Sequence, residues 1–233
     1  MVSASDSSQR FTLFMGVPLS AIKQDCPSAS IESFPHAAVI HRQGQRLGEI
    51  FCVLEGQVKL SRLDHDGTEF TTGLLTAGEL FGAPLNDQPE FETPETASVK
   101  GAVDLLRMRV HEFRNLLLKY PPLGLRVVEL LDRRRQQMER RLECFAFKRT
   151  ESRLVETLSE LSGGFEAKCE HGFGQHIRLS QQELADLVGA SRPVVSTILN
   201  RLRKAGVLGY TRDYVCIREL DAIARTIESA PTE

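Results

Sequence analysis

The 233-residue chain has no long apolar run; none approaches the roughly 18 residues that a membrane-crossing helix needs. Its first ten residues, Met1 to Arg10, lack the basic start and apolar stretch of a secretory leader. Cysteine is sparse: Cys26, Cys52, Cys144, Cys169 and Cys216 are scattered and odd in number, and no two stand in C-x-x-C spacing. Zinc-finger and iron–sulfur spacings are therefore missing, and no metal site is expected. The expectation is a cytoplasmic protein with free thiols, no membrane partner and a flexible tail over residues 1–18. An excess of positive charge is also lacking: 29 Lys and Arg stand against 31 Asp and Glu, a net charge of −2. Nucleic-acid binding would then have to be a local property. Catalytic motifs are missing as well. There is no P-loop, no G-x-G-x-x-G and no assignable Ser–His–Asp grouping, so an enzyme is not expected.

What is present is a 41% apolar composition, enough for packed cores, and a change of pattern along the chain. From about Phe34 to Arg109 short alternating runs dominate, such as Glu49-Ile-Phe-Cys-Val-Leu54 and Gln57-Val-Lys-Leu-Ser61. Glu55-Gly56, Asp66-Gly67 and Ala77-Gly78 read as turns between them, and Asn86 to Thr96, with Pro89 and Pro94, reads as a loop. Strands at this spacing predict a β-sandwich or barrel. His111 to Lys119 then reads as a short helix stopped by Tyr120-Pro121-Pro122, and a long helix follows from about Leu123 to Phe147. A heptad frame places Val128, Arg135 and Leu142 at one core position and Gly124, Leu131, Met138 and Phe145 at the other. This predicts a homodimer seam with Arg135 as its weak point; the alternative is an amphipathic helix packed on its own domain. Arginines at 133–135 and 140–141 form a basic zone that reads as a solvated face.

The most informative stretch runs from Ile177 to Gly206. Ser180 and Glu183 have capping-box spacing, Leu184, Leu187 and Val188 make a buried face, and Gly189 supplies a positive φ at the helix end. Ser191 is placed to cap a second helix that tolerates Pro193 in its first turn. Val194, Val195, Ile198, Leu199 and Leu202 are expected to form its inner stripe. Arg192, Arg201, Arg203 and Lys204 crowd this helix, which contains no acid. Helix, Gly-containing turn, helix is the helix-turn-helix, whose second helix enters the major groove of double-stranded DNA. Val207 to Tyr210 and Tyr214 to Ile217 then read as a wing with Arg212 at its tip. Arg192 is the expected base reader, because a guanidinium bonds two acceptors on a guanine edge. Ser196, Thr197 and Asn200, further along the same helix, are also expected to reach bases, and Arg201 is expected among the DNA-binding residues. Ser180, Gln182 and Arg212 are expected at the phosphates, and Ser191 is also expected among the DNA-binding residues.

These stretches resemble the CRP/FNR family of bacterial transcription regulators from about Phe34 to Ile217. The resemblance rests on Gly44, Leu54-Glu-Gly56, Asp66-Gly67 and Gly78-Glu-Leu-Phe-Gly82, on Leu142 to Phe147, and above all on Leu179 to Gly206. It implies an α+β chain of two domains. The expected parts are the tail at 1–18, a jelly-roll β-roll sensor of cyclic-nucleotide-binding type at 19–121, a dimerisation helix at 122–148 and a winged helix-turn-helix at 149–233. It also implies a palindromic operator and, for an activator, RNA polymerase as a partner. The cyclic AMP site that the resemblance implies is missing its key groups. Gly82 is followed by Ala83 where such sensors carry Glu, and Glu95 stands where they carry Arg. No Arg or Lys occurs between Arg62 and Lys100. Exchanging an attractive for a repulsive unit charge about 4 Å from a phosphate costs on the order of 8 kcal/mol at an effective dielectric of about 20. That is about the whole free energy of micromolar binding. On the long helix, Met138 and Glu139 replace the small hydroxyl residues that contact the base. Cyclic AMP is therefore not expected as effector. The alternatives within the fold are haem sensing, for which His36, His41, His65 and His111 have no distinguishing context, and thiol sensing through Cys52 or Cys144. A scaffold module that binds cyclic nucleotides without DNA is disfavoured by the lost site and the intact second helix.

Overall fold

The computed structural model describes residues 13–86, 91–162, 175–212, 214–218 and 220–228. The chain divides into two compact units, Met1–Gln136 and Gln137–Glu233. No helix among the described residues is long and apolar enough to cross a membrane.

The first unit opens with α1 (Leu19–Asp25) and continues through β1 (Ser30–Phe34), β2 (Val39–His41), β3 (Glu49–Leu63), β4 (Glu69–Leu75), β5 (Leu80–Gly82) and β6 (Thr96–Arg109). α2 (Val110–Lys119) and the first part of α3 (Pro121–Phe147) complete it. All six strands pair antiparallel in one sheet of order β1-β6-β3-β4, with β2 added on β6 and β5 on β3. Ile50-Phe-Cys-Val-Leu54 is buried at every position because both faces of β3 are covered. Phe51, Val53, Val58 and Leu60 point into the roll against Ala97, Val99, Val103 and Leu105 of β6. Ile50, Cys52 and Leu54 point the other way, against Ile22 of α1, Phe113 and Leu116 of α2, and Leu123 and Val127 of α3.

Three sequence expectations change here. Glu55-Gly56 is not a turn: β3 runs unbroken from Glu49 to Leu63 and absorbs the glycine as a bulge, its register against β6 shifting between Val53 and Gln57. Gly56 has φ of 89°, and a Cβ there would collide with the Ala102 carbonyl oxygen, so only glycine fits. The expectation of a flexible tail over 1–18 does not hold for Leu13 and Phe14. Both are buried in the core, and the Phe14 ring meets Phe113 edge-on at 6.3 Å; residues 1–12 lie outside the described residues. Pro121 and Pro122 do not separate α3 from the chain but begin it, since proline in a first turn lacks only an N–H that the helix does not use.

The other unit contains the end of α3, α4 (Thr150–Ser162), β7 (Gln175–Ile177), α5 (Gln181–Val188), α6 (Arg192–Lys204), β8 (Leu208–Tyr210), β9 (Val215–Ile217) and α7 (Leu220–Glu228). β8 and β9 are the expected wing, joined by the Thr211 N–H donating to the Tyr214 carbonyl. β7 adds a third strand on β9. That strand and α7, whose Ile223 is fully buried, were not legible in the sequence. Gly163-Gly164, the loop at 171–174 and Asp213 lie outside the described residues.

α3 carries two apolar stripes rather than one. Leu123 and Val127 are buried in the roll core, Leu130 packs against it, and Arg134 reaches Glu79 at 3.5 Å. Turned away from these residues, Leu125, Val128, Leu131, Met138, Leu142 and Phe145 are 45–67% exposed. The reading of an amphipathic helix packed on its own domain therefore holds for one face, and the residues expected in a seam lie exposed away from it. Arg135, the polar member of the heptad frame, lies along the helix and donates from Nε and Nη2 to Asp132 at 3.1 and 2.9 Å.

Candidate nucleic-acid interface

The local signals that define α5 are all present. Ser180 Oγ accepts the Glu183 N–H at 3.3 Å, and the Glu183 carboxylate accepts the Ser180 N–H at 2.9 Å. Such a cap is worth about 1 kcal/mol. Gly189 takes φ of 65°, and the N–H groups of Gly189 and Ala190 close the helix by donating to Asp186 and Ala185. A Cβ at Gly189 would strike the Phe145 ring. Arg153 of α4 locks this turn by donating to the carbonyls of Val188 at 2.9 Å and Gly189 at 3.1 Å while stacking over Phe145 at 5.4 Å. Neither Arg153 nor the wedge made by Phe145 was read from the sequence, since nothing local marks a residue that closes a turn 35 positions away. Phe145, expected in the seam, is therefore engaged within its own domain.

α6 starts at Arg192, with Pro193 in its first turn. Ser191 occupies the N-cap position but makes no side-chain cap bond, contrary to expectation, and its hydroxyl stays exposed. Val195, Ile198, Leu199 and Leu202 form the inner stripe, whereas Val194, expected among them, is 44% exposed. The 3.6-residue period turns Val194 out at the front of the helix. The outward row contains Arg192, Pro193, Thr197, Arg203 and Lys204, all exposed, with Ser196 and Asn200 half-buried beside them. Arg192 has no side-chain partner among the described residues. Thr197 Oγ donates to the Pro193 carbonyl at 3.0 Å, within the helix.

Two predicted contacts are committed elsewhere. Arg201 leaves the outward row: its Nη2 lies 2.8 Å from Glu151 of α4, an ion pair inside the domain. Ser180 is consumed by its cap, its hydroxyl also contacting the Glu183 carboxylate at 2.9 Å. Gln182 is exposed and donates to Asp186 at 2.8 Å, and Arg212 is exposed at the wing.

The two roll positions that depart from cyclic AMP sensors, 83 and 95, are engaged within the fold. Ala83 is buried after Gly82, and its N–H donates to the Glu49 carbonyl at 2.8 Å. Glu95 is half-buried. Burial pushes its carboxyl above the ordinary carboxylate value, against the opposing pull of Arg62 and Arg134. The fold thus supplies cations that the 62–100 window lacks, but it supplies them facing acids: Arg134 pairs with Glu79 and senses Glu95. A phosphate would have to displace these carboxylates.

The candidate sensing groups are scattered. Burial pushes the Cys52 thiol up to about 12. Cys144 is raised first by burial and then by Glu156, to whose carboxylate its thiol donates. Both shifts disfavour the thiolate, which is the reactive form. Cys216 of β9 is disulfide-bonded, which corrects the expectation that all thiols are free; Cys169 lies outside the described residues. Asp64, beside His65, is a turn former whose carboxylate accepts the N–H groups of Asp66 and Thr68. His36 Nδ1 accepts the Gly101 N–H at 3.1 Å.

His41 is buried at 2% exposure between the rings of Phe51 and Phe81, at 6.4 and 5.9 Å, and its ring nitrogens make no well-formed hydrogen bond. Burial lowers its pKa, the Glu95 backbone partly opposing this. A lowered histidine pKa means the unfolded chain binds a proton that the fold excludes. Stability is therefore lost as pH falls below about 6.5, by at most about 1.4 kcal/mol per pH unit for one group. His41→Phe is expected to flatten the melting temperature against pH between 7 and 5 relative to the parent. An unchanged slope would remove His41 as its source. Glu95, with a raised pKa, works with the opposite sign in both proteins and cancels in the comparison.

Residues 152–226 match the family model of the Crp-like helix-turn-helix domain, and residues 31–120 match the cyclic nucleotide-binding domain. A global nitrogen regulator from Synechocystis is 27% identical over 196 residues, 84% of this chain and 87% of that protein. A cyclic AMP receptor protein from Thermus thermophilus is 28% identical over 186 residues, 80% of this chain and 82% of its own. The solved structure of a CRP/FNR-family transcriptional regulator from Thermus thermophilus has the same fold, with a TM-score of 0.67, 24% identity and coverage of 86% of this chain and 99% of that one. The two sequence relatives carry names for different signals, so likeness alone assigns this chain no effector. With a cyclic-nucleotide-type roll, a long helix and a winged helix-turn-helix in this order, the chain belongs to the CRP/FNR family of DNA-binding transcription regulators.

Proposed function

We propose that the protein binds a palindromic DNA operator as a homodimer and does so without cyclic AMP. The observation that carries this reading is the outward row of α6: an acid-free helix with an exposed Arg192 at its N-terminal end that has no partner among the described residues, placed where a recognition helix meets base edges. Dimerisation is supported by the exposed apolar stripe of α3 from Leu125 to Phe145, at a spacing that suits a second copy of the same helix. Two such helices address half-sites about one helical turn, roughly 34 Å, apart. Independence of cyclic AMP is supported by Ala83 and by the carboxylates of Glu79 and Glu95, which already face the cations near the roll site. Thiol sensing through Cys52 or Cys144 is disfavoured by their raised pKa values.

The test is selection from a random DNA pool with purified protein and no added ligand. The expected result is enrichment of a two-fold palindrome, unchanged when cyclic AMP is added. Enrichment only in its presence would overturn the cyclic-AMP-independent reading, and no enrichment under either condition, from a folded dimer, would overturn binding by the ligand-free protein.

A further inference from the structure

We propose that Tyr210 of the wing sets the base preference of the recognition helix by pinning the amide of Asn200, so that Asn200 offers DNA only hydrogen-bond donors. The proposal rests on α6 being the reading helix and goes beyond it by naming what one of its positions can read. Asn200 Oδ1 accepts the Tyr210 hydroxyl at 2.7 Å and Arg203 Nη2 at 3.0 Å. An amide oxygen has two lone pairs, and both are used. The orientation of the amide is fixed by chemistry: guanidinium has donors and no acceptor, so the atom facing Arg203 is the oxygen. Arg203 in turn lies over the Tyr210 ring at 5.0 Å, which closes a three-residue cluster between α6 and β8. Tyr210 is held in place by its pairing with Val215.

Asparagine ordinarily reads adenine, donating to N7 and accepting from the N6 amino group in one bidentate contact. That contact needs the oxygen. With the oxygen committed, the half-buried Asn200 has its NH2 group left, and an adenine N6 amino group opposite it would meet a second donor. Acceptor-only edges fit instead: guanine N7 and O6, or thymine O4. The wing thereby acts on specificity without touching a base, and Tyr210 is a positioning residue.

The experiment compares the full-length wild-type protein, Tyr210→Phe and Asn200→Ala on the operator recovered by selection, with every base pair of a half-site varied singly. In the wild type, one position per half-site is expected to favour an acceptor edge and to reject adenine by about tenfold, the scale of one good base contact. Asn200→Ala is expected to erase the preference at that position alone. Tyr210→Phe removes one oxygen and keeps the ring under Arg203; it is expected to lower the rejection of adenine at the same position by about tenfold. An unchanged base ranking in Tyr210→Phe, or a uniform loss of affinity across all sequences with the ranking kept, would overturn the proposal, because a merely structural tyrosine weakens everything equally. So would an Asn200→Ala protein with wild-type preferences. Failure of the wild type to enrich any sequence is a different result, which strikes the DNA-reading assignment itself.

Discussion

Leu131→Glu is expected to yield a folded monomer that binds the operator on the order of 100-fold or more weakly than the parent. Leu131 is 52% exposed and belongs to neither hydrophobic cluster of the roll, so the substitution removes no core contact. It does not harm the helix either, since a glutamate at 131 has Arg134 and Arg135 three and four residues ahead, a favourable spacing. What it changes is the stripe between Val128 and Met138. In a dimer the two glutamates would face each other across an apolar seam, paying desolvation and repulsion together. The DNA consequence follows from linkage. Two recognition helices tied together bind the second half-site as an intramolecular event, and losing that tie forfeits roughly 10²–10⁴ in affinity. Light scattering on the purified variant measures the first claim and operator titration the second. A dimeric mass for Leu131→Glu would exclude this stripe as the interface.

Arg192→Ala is expected to cost about 1–3 kcal/mol per half-site on the selected operator and to relax preference at one base pair in each half. Stability should change by less than about 0.5 kcal/mol, because the side chain is exposed and bonds none of the described residues. The alternative role, contact with a phosphate, leaves a different signature. Affinity would fall by a similar factor for every sequence, and the slope of log K against log salt would drop by about one per subunit. Titrating specific and scrambled DNA at several salt concentrations separates the two, and an unchanged base preference would withdraw Arg192 as the reader.

The helix-turn-helix was legible because its signals are local. A cap is set by Ser180 and Glu183 three residues apart, a helix stop by the single glycine at 189, and an inner stripe by the 3.6-residue recurrence of Val195, Ile198, Leu199 and Leu202. The departures from cyclic AMP sensors were legible for a related reason: Ala83 and Glu95 differ in kind from the residues that the resemblance implies there. Elements with weak local patterns escaped. β7 is three residues long and is held by its pairing with β9, and α7 is fixed by burying Ile223.

Sequence alone therefore determined the order of the parts and the boundaries of α5 and α6. Tertiary structure decided how shared or ambiguous groups are used. The stripe of Leu123 and Val127 goes to the roll and the stripe of Val128 and Leu131 stays free, although both are apolar at helical spacing. Gly56 became a bulge because β6 passes too close for a side chain. Arg201 and Arg203 sit two residues apart with the same charge, yet one is drawn inward by Glu151 and the other holds Asn200 beside Tyr210. A sequence records which donors and acceptors exist. Which donor meets which acceptor depends on residues 10 to 50 positions away, and folding brings those together only when the cores close.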